Sequence, residues 1–233
     1  TPSGNAYSNF TTDTSIVMPV LYKGVPDQLN IYVDNSTSMD ANSVVGGWVR
    51  VFIDWDRNGE FSDNECVVSD TVYSGMILSK TLNVPANTLN GITRMRVILK
   101  QSGTSEAFTA CERVSRGEVE DYRVIIKPAE QVNAELKRFT SPSELASAGQ
   151  TPVKAILKNA GLQALTSAMV TLKHNDQDYT YNWAGNLASG ELEEITIANV
   201  DLDLGTNNFK AYVDVAGDNT HDNDTASLNS YVF

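Results

Sequence analysis

The chain has 233 residues, 41% of them hydrophobic, and a formal net charge of −12, which is enough for two domains of about 100–150 residues with a core in each. Both halves are acidic: residues 1–127 carry 15 acidic and 11 basic side chains, and residues 128–233 carry 14 and 6. No basic patch stands out to neutralise phosphates, which argues against nucleic acid, and no apolar run approaches the ~20 residues of a membrane helix.

The opening TPSGNAYSNF is polar and lacks the features of a signal peptide, so the chain reads as an internal or processed fragment. LNIYVD (residues 29–34) is the first strand signal, rich in β-branched and aromatic residues. GWVRVFIDW (47–55) follows with the apolar–polar alternation of a half-buried strand.

It runs into DWDRNGEFSDNE (54–65), where Asp54, Asp56, Asn58 and Glu65 hold positions one, three, five and twelve and Gly59 holds position six. That is the ligand spacing of an EF-hand calcium loop. Asp54, Asp56 and Asn58 would supply side-chain oxygens, Glu60 a backbone carbonyl and Glu65 a bidentate carboxylate, with Phe61 anchoring the loop. An EF-hand needs flanking helices, and here both flanks read as strand. A sensor swings two helices apart; a loop between strands has none to swing. The expected role of Ca²⁺ is therefore to staple a corner of a sandwich and add its binding energy to stability.

CVVSDTVY (66–73), TRMRVILK (93–100) and DYRVIIK (121–127) continue the strand series, with turn residues in ANTLNG and KQSGTSE between them. Cys66 and Cys111 are the only cysteines. In an extracellular protein one bridge between them is the simplest pairing, closing about 45 residues and contributing roughly 3–4 kcal/mol; two free thiols are the alternative. Glu118 and Glu120 share one face of their strand with Tyr122, Val124 and Ile126. They are expected to pair with Arg94 and Arg96 or to lend the cation a further ligand. A hydrolase using these carboxylates is the competing reading, although glycosidases place their two acids across a scissile bond.

KPAEQVNAE (127–135) reads as a hinge, with Pro128 stopping the strand before it. Then come AELKRF, TPVKAILKNAG, AMVTLKHND, DYTYNWAG, ELEEITIANV, NNFKAYVDVAG and ASLNSYVF. Short strands at this spacing over about 100 residues are the pattern of an immunoglobulin-like sandwich. His174 and His221 both lie in polar stretches and are expected to be exposed. GDNTHDND (217–224) reads as a flexible acidic hairpin, with Asp218, Asp222 and Asp224 as candidate ligands of a second cation. Trp55 and Trp183 are expected to pack in the core or at its rim, with stacking on a sugar as the alternative. The fold class is thus all-β: two tandem β-sandwiches, residues 1–129 and 130–233, the second immunoglobulin-like.

The string GEVEDY (117–122), preceded by RMR (94–96), the Asp-rich turn and Cys111, resembles the GEVED domain family. That resemblance covers about residues 1–127 and implies a β-sandwich module of secreted or surface proteins in Bacteroidetes and related bacteria. In that family a cysteine commonly precedes a segment like TPSG, so Cys66 and Cys111 pair with each other or one of them pairs upstream. VKAILKNAG, WAGNLASGE and GDNTHDNDT are similar to CARDB-like immunoglobulin modules. Together the resemblances imply a non-catalytic, calcium-stabilised accessory, adhesion or spacer region, appended to a larger secreted or cell-surface protein such as a protease. The expected partner is an extracellular polymer or protein, met by a monomer without membrane insertion.

Overall fold

Alternating apolar and polar residues become strand after strand in the computed structural model, which describes residues 7–33, 46–73, 75–101, 108–112, 114 and 117–233. The chain divides into two compact units, Thr1–Pro128 and Ala129–Phe233.

The first unit contains β1 (Tyr7–Asn9), β2 (Val20–Tyr22), β3 (Pro26–Tyr32), β4 (Gly46–Ile53), β5 (Cys66–Tyr73), β6 (Ile77–Asn83), β7 (Gly91–Gln101) and β8 (Gly117–Lys127). One sheet runs β1-β8-β7-β4-β5, with β2 also on β8, and β3 pairs with β6 in a second. The antiparallel β7–β8 ladder sets Met95 opposite Tyr122 and Arg96 opposite Asp121. Because side chains alternate across a sheet, residues 95 and 97 of β7 and 122, 124 and 126 of β8 share one face. Met95, Val124 and Ile126 are buried there with Val49, Val51 and Ile53 of β4 and Leu82 of β6, and Leu29 and Ile31 of β3 pack against them. The opposite face carries a smaller cluster of Phe52, Ile98, Phe108, Ala110 and Val114, joined by Phe61 and Cys66. The large sheet is therefore covered on both sides.

Cys66 and Cys111 are free thiols, so the expected bridge does not form. Cys66 opens β5 half-buried, with Sγ 3.2 Å from the Val68 carbonyl of its own strand. Cys111 is exposed at the mouth of a cleft shared with Phe61 and Arg96. One thiol turns to its own backbone and the other to solvent.

The second unit contains β9 (Ala134–Ser141), β10 (Leu145–Ala146), β11 (Gly149–Asn159), β12 (Leu165–His174), β13 (Gln177–Leu187), β14 (Leu192–Leu202), β15 (Gly205–Asp214) and β16 (Thr225–Val232). A three-stranded sheet, β14-β11-β9, and a five-stranded sheet, β10-β16-β15-β12-β13, form an immunoglobulin-like sandwich. A single core joins Leu136, Val153, Leu157 and Ile195 of the first sheet to Val170, Leu172, Trp183 and Phe209 of the second. Trp183 is thus a core residue. The expectation of an exposed His174 fails for a reason of register: Ala168, Val170, Leu172 and His174 alternate onto the core face of β12 and all are buried. The imidazole stacks on Phe209 at 4.6 Å, and its Nε2 lies 3.0 Å from Asn207 Oδ1.

Candidate metal centre

The 54–65 loop joins β4 to β5 across one end of the large sheet, and nearly every polar group in it is tied down. Asp54 leaves β4 buried, its N–H donating to the Arg94 carbonyl at 3.0 Å. Its own carbonyl accepts the Thr93 hydroxyl at 2.5 Å. The chain then turns back through two left-handed residues, Arg57 at φ 58° and Gly59 at φ 86°. Gly59 takes this conformation at little cost, whereas at Arg57 it is strained. The reversal directs backbone donors inward: Asn58 N–H reaches Asp54 Oδ1 and Gly59 N–H reaches Asp54 Oδ2, both at 3.1 Å. Asp56 Oδ1 accepts from Asn58 N–H at 3.1 Å.

A short 3₁₀ turn, Asp63–Glu65, closes the loop. Glu65 is buried and reaches back across it: Oε1 accepts the Trp55 N–H at 2.8 Å, and Oε2 accepts the Ser62 N–H at 2.9 Å and hydroxyl at 2.8 Å. Ser62-x-x-Glu65 is a capping-box spacing, so this tie was legible in the sequence and passed over. Trp55 is buried and lies in the core, which leaves core packing as its role.

Ligand oxygens of Asp54, Asp56 and Glu65 lie within 4.8 Å of one another. Two oxygens on one Ca²⁺ at 2.3–2.6 Å are at most about 5 Å apart, so the spacing of these three is compatible with one shared ion. Both Asp54 oxygens and Glu65 Oε1 accept one backbone N–H each and keep a second lone pair, whereas Glu65 Oε2 accepts two bonds. Burial pushes the Asp54 carboxyl above its ordinary value, and the Glu65 and Asp56 charges push the same way, against the Gly59 and Asn58 N–H groups. A cation would remove that conflict.

The other expected ligands sit differently. The Asn58 amide donates to Asp56 Oδ2 at 3.0 Å, and its Oδ1 accepts the Glu60 N–H at 2.7 Å. Glu60 itself is exposed.

Glu118 and Glu120 form no ion pair with Arg94 or Arg96 among the described residues, contrary to expectation. Arg96 pairs instead with buried Asp121, through Nε at 2.6 Å to Oδ1 and Nη2 at 2.7 Å to Oδ2. Register decides this, since Asp121 is the residue opposite Arg96, on the face away from the two glutamates. Glu120 accepts the Tyr122 hydroxyl at 2.8 Å.

In the second unit, ligand atoms of Asp218, His221 and Asp224 form another group within 4.8 Å. His221 takes the place that the sequence reading gave to Asp222. The hairpin is structurally engaged: Asp218 is buried and accepts Ala134 N–H at 2.8 Å and Thr220 N–H at 2.9 Å. Asp224 Oδ2 lies 2.8 Å from His221 Nδ1, and that bond pushes the imidazole above its usual value.

Residues 48–125 match the GEVED domain family, a span that encloses both the 54–65 loop and the 117–122 motif. Comparison with curated proteins finds no match. Among solved structures the chain is similar to a CARDB domain from Pyrococcus furiosus crystallised in complex with di-metal ions, at 18% identity over 45% of this chain and 91% of that one, TM-score 0.37. It is also similar to the fibronectin(III)-like modules of Clostridium thermocellum CbhA, at 12% identity over 94% and 93%, TM-score 0.27. A third is the calcium binding domain CBD12 of CALX1.1, at 11% identity over 84% and 76%, TM-score 0.27.

Proposed function

We propose that this chain is a calcium-braced, non-catalytic accessory region of a larger secreted or cell-surface protein, acting in adhesion or as a spacer toward an extracellular polymer or protein. The observation that carries the calcium assignment is the gathering of Asp54, Asp56 and Glu65 oxygens within 4.8 Å at the β4–β5 corner. Extracellular calcium is abundant enough for modest sites to fill, and the GEVED match over residues 48–125 supports the accessory role. The ion would neutralise carboxylates that otherwise repel. The flanking strands are already paired along their length, so the ion braces an existing frame.

The carboxylates do not read as catalytic. Both Asp54 oxygens accept backbone N–H groups. Glu118 and Glu120 stand side by side on one strand face rather than across a cleft from each other.

Thermal unfolding with Ca²⁺ and with chelator tests the proposal. Calcium a hundredfold above its Kd adds about 2.7 kcal/mol, on the order of 10 °C in Tm for a unit of this size. Far-UV circular dichroism at 25 °C should stay unchanged. Asp54→Ala or Glu65→Ala should abolish the calcium response. An identical melting curve of the intact protein in chelator contradicts the reading.

A further inference from the structure

Beside the calcium loop lies a cleft of about 370 Å³ lined by Thr11, Asp54, Arg57, Gly59, Ile92, Thr93, Arg94 and Arg123. Its size falls in the range of small-ligand clefts, about 300–1,000 Å³. Three guanidinium groups therefore face one carboxylate, in a protein whose net charge is −12. The bulk acidity concealed this cluster because Arg94 and Arg123 meet only through the register of β7 on β8, and Arg57 reaches them from the loop between β4 and β5.

Arg57 and Arg94 are exposed and Arg123 is half-buried, and three observations show that the protein itself leaves the charges of the β7–β8 pair uncompensated. Arg94 and Arg123 are direct cross-strand partners, an arrangement of like charges that destabilises a sheet. Neither has a side-chain hydrogen bond or ion pair among the described residues, whereas Arg96 and Asp121, the adjacent same-face pair, are joined by two short bonds. Arg123 Nε is buried with no acceptor among the described residues, which ordinarily costs about 1–3 kcal/mol.

Arg57 is placed deliberately. Its backbone is left-handed at φ 58°, and one Nη1 hydrogen bond of 2.7 Å to the Asn90 carbonyl fixes the guanidinium. It sits where a β-carbon on residue 91 would be only 3.1 Å away, so Gly91 leaves it room. Strain at a non-glycine residue that positions a side chain over a cleft is the pattern of a functional site.

We infer that this cleft is a binding site for the carboxylate or sulfate groups of an anionic polysaccharide. An oxyanion between Arg94 and Arg123 would relieve their repulsion and supply the acceptor that Arg123 Nε lacks. Guanidinium groups bind such oxyanions through paired N–H donors. Exposed Ile92 offers an apolar floor for a sugar ring. A peptide is the alternative that poly-L-glutamate tests: β7 pairs with β8 over Gly91–Lys100 but with β4 only from Met95 onward, and the neighbouring arginines favour an oxyanion over added backbone. This site deepens the accessory reading by giving the ligand class, and it needs no calcium at the neighbouring loop.

The test uses the intact chain at low ionic strength with five probes: hyaluronate, which is carboxylated, dextran sulfate, neutral dextran, poly-L-glutamate and single-stranded DNA. Affinity electrophoresis should show retardation by hyaluronate, dextran sulfate or both, the two arms separating carboxylate from sulfate, and none by neutral dextran. The double variant Arg94→Gln/Arg123→Gln should weaken binding about tenfold or more, while Lys210→Gln in the second unit leaves it unchanged. The double variant should melt no lower than the parent, because it removes a like-charge pair; should it fail to fold, Arg94→Gln alone serves. Three results overturn the inference: no retardation by either charged glycan, equal binding by the arginine variants, or equal or stronger retardation by poly-L-glutamate or DNA. The melting response to calcium is a separate readout, so failure here leaves the staple standing and the reverse also holds.

Discussion

At the scale of single residues, the first unit is governed by which face each acid occupies. Asp121 and Glu120 are neighbours in the GEVEDY string, yet Asp121 is locked to Arg96 while Glu120 meets only a tyrosine hydroxyl. Glu118 is placed worst: burial first, and then the Glu120 charge, push its carboxyl above the ordinary value. A raised carboxyl pKa means that the folded state holds its proton more tightly than the unfolded chain. Ionisation of Glu118 then opposes folding at neutral pH, and that opposition fades as pH falls through the folded pKa toward the unfolded value. Glu118→Gln should therefore stabilise the fold at pH 7, by about 0.5 kcal/mol at most after solvent screening, with a correspondingly higher Tm, and change nothing near pH 4. Melting curves at the two pH values check this, and a loss of stability at pH 7 would refute it.

Elements come next, and Gly117 shows how a motif residue builds one. It opens β8 at φ 138°, and a β-carbon there would lie 1.9 Å from the Leu99 carbonyl oxygen. The glycine lets β8 come close to β7 at the point where their pairing begins. Gly117→Ala should cost at least about 2 kcal/mol, measured by chemical denaturation, and a neutral result would show that the ladder can shift to accommodate it. The long strands were legible in the sequence because β-branched alternation marks them, as in GWVRVFI and TRMRVILK. β1, β2 and β10 escaped notice because two or three residues carry no period. β6 escaped because Lys80 interrupts its inward row of Leu78 and Leu82, a lysine whose ammonium pairs with Asp70. Spacing exposed the acidic 54–65 loop, whose candidate ligands are local. The Arg96–Asp121 pair, the buried His174 and the three-arginine cleft were hidden because each depends on a register between distant strands, and sequence patterning does not carry register.

For the whole molecule, two separate cores stand on either side of Pro128, one around Val51 and Ile126 and one around Leu157 and Leu172. The 54–65 corner joins the first, through Trp55. Calorimetry of the intact chain should accordingly resolve a transition that moves with calcium and another that does not. Leu157→Ala should lower only the calcium-insensitive one, by about 2–5 kcal/mol. A single transition shifting as a unit would show that the two cores unfold together.

The proposed function turns on the claim that Asp54, Asp56 and Glu65 share one divalent ion, and the most direct test is a crystal grown in millimolar Ca²⁺ and examined for anomalous density at the β4–β5 corner. The account predicts a peak with carboxylate oxygens of all three residues at 2.3–2.6 Å. Water alone at that position, with the three side chains keeping their backbone hydrogen bonds and no ion between them, would contradict it.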